Sequence, residues 1–168
     1  GCFDINAACT DVPIALAMSS LDSVNDPAIS LVLVTGSYGM TKWLNWNEKW
    51  LAPIFSDGAG AVILAPSDEP GYITSKTIAD GSFWDCYGIF IGTGNPVTLQ
   101  MVQENKHHLR FHESGHRYPA DINMAHWPQL IRDTAKKAGY NEKDLDMILM
   151  TQVNVNTIKD VMKELGLP

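Results

Sequence analysis

Phe3-Asp4-Ile5-Asn6-Ala7-Ala8-Cys9 opens on alternating, β-favouring residues and ends on a thiol. Directly after it, Val12, Leu16, Ala17, Met18, Leu21 and Val24 recur at helical spacing until Asn25-Asp26-Pro27 stops the run. The pattern predicts a short strand over residues 2–5 that feeds a helix, with Cys9 at the junction. Unpaired amide N–H groups and the positive end of the helix macrodipole stabilise a thiolate at such a place, and the thiolate is the nucleophilic form of cysteine. Out of context, a lone cysteine in an apolar segment is more often a small buried hydrophobe. The rest of the chain has to decide between the two.

Ile29 to Thr35, broken only by Ser30, is an apolar, β-branched run closed by Gly36, the pattern of a strand covered on both faces. Trp43, Trp46 and Trp50 punctuate a polar loop. Leu51 to Phe55 and Ala61 to Leu64 read as strands joined by a tight glycine turn, Ser56-Asp57-Gly58-Ala59-Gly60. A further turn at Asp68 to Gly71 precedes an expected strand at Tyr72 to Ile78, and Asp80 to Arg117 has no clear period. Ala120 to Ala138 predicts a long amphipathic helix ended by Gly139, Asp146 to Val153 a buried strand, and Thr157 to Leu165 a last helix before Gly166. Helices alternating with buried strands indicate a layered α/β architecture.

The 168 residues, 45% hydrophobic and 18% charged, have the composition of a globular domain. A formal charge of −7 argues against a nucleic-acid or anionic-membrane surface, which would call for a basic face. The longest apolar run is far too short to span a bilayer. Cys2, Cys9 and Cys86, in a chain with no signal-peptide pattern, do not form a disulfide framework and point to a reduced, cytoplasmic setting.

Phe3 to Cys9 resembles the active-site strand and turn of β-ketoacyl-acyl-carrier-protein synthase III, a thiolase-superfamily transferase of fatty-acid and polyketide synthesis. Leu31-Val32-Leu33-Val34-Thr35-Gly36-Ser37 is similar to that family's following core strand, and Phe55-Ser56-Asp57-Gly58-Ala59-Gly60-Ala61 to its glycine-rich turn. Glu69-Pro70-Gly71 and Asp80-Gly81-Ser82 are similar to the segments after it. Leu145 to Asn154 resembles the strand that delivers a His-Gln-x-Asn motif, and Lys163-Glu164-Leu165-Gly166-Leu167 continues the likeness, which is weakest from Trp84 to Gln103. The resemblance implies a thiolase-like layered αβαβα fold, present only in part. Residues 1–168 would form a central fragment, about 1–80 closing the N-terminal half and about 81–168 opening the C-terminal half.

The resemblance also implies the chemistry. Cys9 would take an acyl group from acyl coenzyme A, and the acceptor would be the carbanion left by decarboxylation of a malonyl thioester. Gly58 and Gly60 would support the oxyanion or its turn, and Asn154 matches the motif's Asn. Acyl coenzyme A enters as substrate, with no cofactor and no metal. The implied partners are acyl coenzyme A, acyl carrier protein and a second copy docked through the strand at 29–35, without nucleic acid or membrane.

Three departures qualify the likeness. Thr151 stands where the motif has His, and a hydroxyl cannot offer an imidazole's two nitrogens, so decarboxylation should be weakened. Acyl transfer to an alcohol or amine, or a non-catalytic role as a dimer partner, are the alternatives. Thr10-Asp11 follows the nucleophile where the family carries Gly, placing a carboxylate beside the thiol. The family's chain is also roughly twice as long. His107, His108, His112 and His116 form the densest histidine stretch, and His112/His116 have the i, i+4 spacing of a helical metal pair, but Gly115 lies between them. One of these, or His126, moving in to replace the missing imidazole is a further alternative. Gly92-Thr93-Gly94 lacks the strand and helix of a dinucleotide fingerprint, the tryptophans suit a subunit contact, and Cys2 and Cys86 read as structural.

Overall fold

The computed structural model describes every residue except Pro70, and of Ser23, Val24 and Asn25 the backbone alone. The Pro70 part of the expected turn and of the Glu69-Pro70-Gly71 match, and the inward position expected of Val24, lie outside the described residues. The chain separates into two compact units, one of Gly1–Ser37, Ala59–Thr77 and Asn123–Pro168, the other of Tyr38–Gly58 and Ile78–Ile122.

Helix α1 (Asp11–Asn25) forms where the apolar spacing placed it. The segment before it does not form a strand: Cys2 to Ile5 has no ladder partner among the described residues, and a strand exists only when a neighbour takes its N–H and C=O groups. Strand β1 (Val32–Gly39) pairs with β2 (Asp57–Leu64) in a two-stranded sheet. Of the apolar run that begins at Ile29, only Val34 is buried, while Leu31 is 67% and Leu33 63% exposed, so β1 is not covered on both faces. Nor does it stop at Gly36. A Cβ on Gly36 would stand 3.1 Å from Val12 Cγ2, so the glycine admits the first turn of α1 against the strand. Gly36→Leu should therefore lower stability by about 1–3 kcal/mol through overpacking. A denaturant midpoint equal to wild type would show that α1 simply moves aside.

The expected glycine turn is instead the first half of β2: Asp57, Gly58, Ala59 and Gly60 all lie within the strand, with open space where a Cβ on Gly58 or Gly60 would sit. Alternate glycines bare one face of a strand as readily as they make a turn, and only the pairing with β1 distinguishes the two. Leu51 to Phe55 is not a strand either; Ala52–Ile54 forms a 3₁₀ turn, in keeping with Pro53, which has no N–H to give a ladder.

Two helices, α3 (Ile122–Lys137), which lies in the first unit from Asn123 on, and α4 (Val155–Leu165), follow the predicted helices closely. Gly139 and Gly166 end them with φ of +86° and +69°, a backbone that glycine adopts at little cost. Ile158, Val161, Met162 and Leu165 share the inward face of α4, with Val161 and Leu165 fully buried. Arg132 of α3 donates to the Glu164 carbonyl at 2.7 Å and pairs with Glu142 at 3.6 Å, which ties the two helices. The expected strands at 72–78 and 146–153 are irregular chain without ladders. The former is held by α3 through Lys76–Asp133 (2.5 Å) and Lys137 donating to the Ser75 carbonyl (2.9 Å). The latter alternates sides, Ile148 and Met150 half-buried, Met147 and Leu149 75% and 83% exposed.

The second unit packs Leu44, Leu51 and Leu109 with Met40, Phe55, Ile89 and Phe111. A short antiparallel ladder joins β3 (Tyr87–Gly88) to β4 (Arg110–Phe111), with Tyr87 opposite Phe111 and Gly88 opposite Arg110. Between them lie α2 (Leu99–Gln103), capped by the Thr98 hydroxyl, and a tight turn in which Gly92 and Asn95 exchange backbone hydrogen bonds. Among the described residues no helix is long and apolar enough to cross a membrane.

Candidate active site

Cys9 sits in a 3₁₀ turn, Ala8–Thr10, that leads into α1. The Ala7 carbonyl accepts from the Thr10 N–H (3.2 Å) and from the Thr10 hydroxyl (2.6 Å), which closes the turn. Ala8 has φ +52°, a left-handed backbone that costs a non-glycine residue about 1–2 kcal/mol. Strain of this kind persists only where the surroundings impose it, and here it immediately precedes the thiol. The thiol is exposed, as is Cys2, whereas Cys86 is buried. Asp11, expected beside the thiol, turns its carboxylate back to accept from the Ala7 N–H, so its charge braces the turn. Pro13 falls in the first turn of α1, where a missing N–H is tolerated.

Thr151 is half-buried on the irregular segment that enters α4. Asn154 is the N-cap of that helix, its side-chain oxygen accepting from the Asn156 N–H at 2.9 Å. Capping occupies the oxygen and leaves the NH₂ group, the donor that a developing negative charge needs. Cys9, Gly60, Thr151 and Asn154 belong to the first unit, Gly58 to the second. Among the described residues no hydrogen bond joins Cys9 to Thr151 or Asn154.

The histidines take other places. His112 to His116 is not helical: Gly115 at φ +77° reverses the chain, with its N–H on the His112 carbonyl at 3.3 Å. His116 Nδ1 lies 2.7 Å from Asp85 Oδ1, a hydrogen bond that holds the Asp85 carboxyl below its ordinary value with help from Ser114. The His107 and His108 rings stand 3.9 Å apart, and burial pushes His108 down. His126 is exposed on α3. The strained Ala8 was missed from the sequence because alanine carries no mark of a left-handed backbone, and Asp85 because its partner lies 31 residues away.

Residues 3–81 match the family described as 3-oxoacyl-[acyl-carrier-protein] synthase III. The β-ketoacyl-[acyl-carrier-protein] synthase III of Clostridium novyi is 31% identical over 167 residues, 98% of this chain and 49% of its own length. The crystal structure of the priming β-ketosynthase of a polyketide biosynthetic pathway is similar with a TM-score of 0.81 at 25% identity, over 100% of this chain and 48% of that one. The 3-oxoacyl-[acyl-carrier-protein] synthase III of Aquifex aeolicus, 22% identical, shares the fold with a TM-score of 0.73 over 99% of this chain and 48% of that one. The chain spans about half the length of the curated relatives it matches. The resemblance read from Phe3 to Cys9 thus extends along the chain, and the fold is a thiolase-like α/β fold in part.

Proposed function

We propose that this chain, which matches about half of a β-ketoacyl-acyl-carrier-protein synthase III, contributes the acyl-accepting cysteine of a condensing enzyme of fatty-acid or polyketide synthesis. The observation that carries the reading is Cys9 itself, an exposed thiol on a strained turn at the start of α1, within the segment that matches the family. Its thiolate attacks the carbonyl carbon of an acyl coenzyme A, the bond to the coenzyme's sulfur breaks, and coenzyme A leaves as a thiolate. The acyl group then sits on Cys9 as a thioester, ready for a second acceptor. Acyl coenzyme A and acyl carrier protein are the substrates of this scheme, and no cofactor is required. In this scheme Gly60, on β2, and Asn154, through its NH₂, are the supports for negative charge.

Thr151 favours a second reading of the later step. Without an imidazole there, the acyl group on Cys9 passes more readily to an alcohol or amine than to a carbanion made by decarboxylation. A cytoplasmic homodimer joined through the strand at 29–35 belongs to the same proposal, and the exposed Leu31 and Leu33 supply its apolar face. In this scheme residues 1–80 close the N-terminal half of the whole fold and residues 81–168 open the C-terminal half. Incubating the full-length protein with acyl coenzyme A and measuring intact mass tests the reading. One acyl adduct per chain, mapped to Cys9, is expected. No adduct would favour a non-catalytic subunit of the same fold.

A further inference from the structure

The segment that the resemblance explains least, Trp84 to Gln103, opens on a second concentration of reactive side chains. Asp85 and Cys86 precede β3, and His116 follows β4. The β3–β4 ladder, together with the His112 N–H on the Cys86 carbonyl at 3.3 Å, holds the two stretches side by side. The reversal at Gly115 then turns His116 back onto Asp85. One ligand-type atom from each of Asp85, Cys86 and His116 lies within 4.8 Å of the other two.

We propose that Cys86 Sγ, a ring nitrogen of His116 and a carboxylate oxygen of Asp85 bind one transition-metal ion of the zinc class. The donor set is specific. A thiolate and an imidazole with a single carboxylate suit zinc or cobalt, whereas magnesium and calcium take oxygen ligands. Zinc binds sulfur at about 2.3 Å and nitrogen or oxygen at about 2.0–2.2 Å, so tetrahedral ligands sit roughly 3.3–3.8 Å from one another. The observed separations, all within 4.8 Å, need to change by at most about 1.5 Å to reach that. Binding releases the Cys86 proton to solvent, and the hydrogen bond between His116 and Asp85 gives way to two metal bonds.

The surroundings fix the ligands in advance. Cys86 has no exposed surface, and its N–H donates to the Phe83 carbonyl at 3.1 Å. The Phe83 ring stacks on His116, centroids 5.6 Å apart, and meets Tyr118 at 5.2 Å on the same ring. Asp85 is mostly shielded, 15% exposed, while His116 at 40% gives an ion a way in from solvent. His112 Nδ1 stands 3.9 Å from the other Asp85 oxygen, but it already accepts the Ser114 N–H at 3.2 Å. The site therefore has three protein ligands and one open position for water or a ligand atom.

The test is a cobalt titration of the full-length protein after stripping with a chelator. One equivalent of Co²⁺ should produce a thiolate-to-cobalt charge-transfer band that Zn²⁺ displaces and Mg²⁺ does not. Cys86→Ala should abolish the band, and Asp85→Asn and His116→Gln should each raise the dissociation constant at least tenfold, while Cys9→Ala leaves the band intact. A wild-type protein without the band overturns the proposal, as does a band that survives in Cys86→Ala or disappears in Cys9→Ala. If Cys86→Ala does not fold, unchanged cobalt affinity in both Asp85→Asn and His116→Gln overturns it equally.

Discussion

Cys9→Ser should abolish acyl loading of the full-length protein, lowering the rate from acyl coenzyme A by at least about 10³-fold. Thiolates form near neutral pH and attack thioesters readily, whereas a serine hydroxyl needs an adjacent general base. The side chains that brace the turn, Thr10 and Asp11, offer no such base aimed at residue 9: the Thr10 hydroxyl donates to the Ala7 carbonyl and the Asp11 carboxylate accepts from the Ala7 N–H. The substitution nearly preserves size, so the turn and α1 should survive and the loss should be chemical. Intact mass after incubation with acyl coenzyme A, with circular dichroism to check folding, measures this. Loading that persists on the serine variant and maps to the exposed Cys2 would move the nucleophile there.

The second large effect concerns Thr151, and it separates loading from condensation. In the proposed scheme, loading needs the Cys9 thiolate and donors for one oxyanion. Condensation with a malonyl thioester must also stabilise the charge left when carbon dioxide departs. Removing one such donor typically costs about 10²–10³ in rate, or about 2.7–4 kcal/mol. In the function proposed above Thr151 takes the motif's histidine position, on a segment whose end is anchored by the Asn154 cap. Thr151→His should therefore raise decarboxylative condensation by about 10²–10³ and loading far less. Release of carbon dioxide from malonyl thioester, measured beside acyl loading, decides it. An unmutated protein that decarboxylates as fast as it loads would mean that Thr151 is no handicap and that another donor serves the step.

The helices were legible because their signals are local. The apolar spacing that defines α1, α3 and α4, and the glycines at 139 and 166 that end two of them, act within a few residues. The strands were not. Residues 2–5, 72–78 and 146–153 have β-favouring composition, yet they lack ladder partners among the described residues, and partners come from distant sequence. Gly36 shows the same division: as punctuation it ends a strand, whereas in the fold it lies inside one, where a Cβ would meet Val12 at 3.1 Å.

The family likeness, the place of Cys9 beside a helix start and the three long helices are legible in the order of residues alone. The tertiary structure decided which extended runs pair, that Gly58 and Gly60 lie within a strand, that Ala8 is held left-handed, and that Asp85 and Cys86 meet His116. Helical periodicity and a linear motif are carried by neighbours along the chain. Strand pairing, backbone strain and a cluster drawn from two ends of a ladder depend on contacts that exist only once the chain has closed on itself.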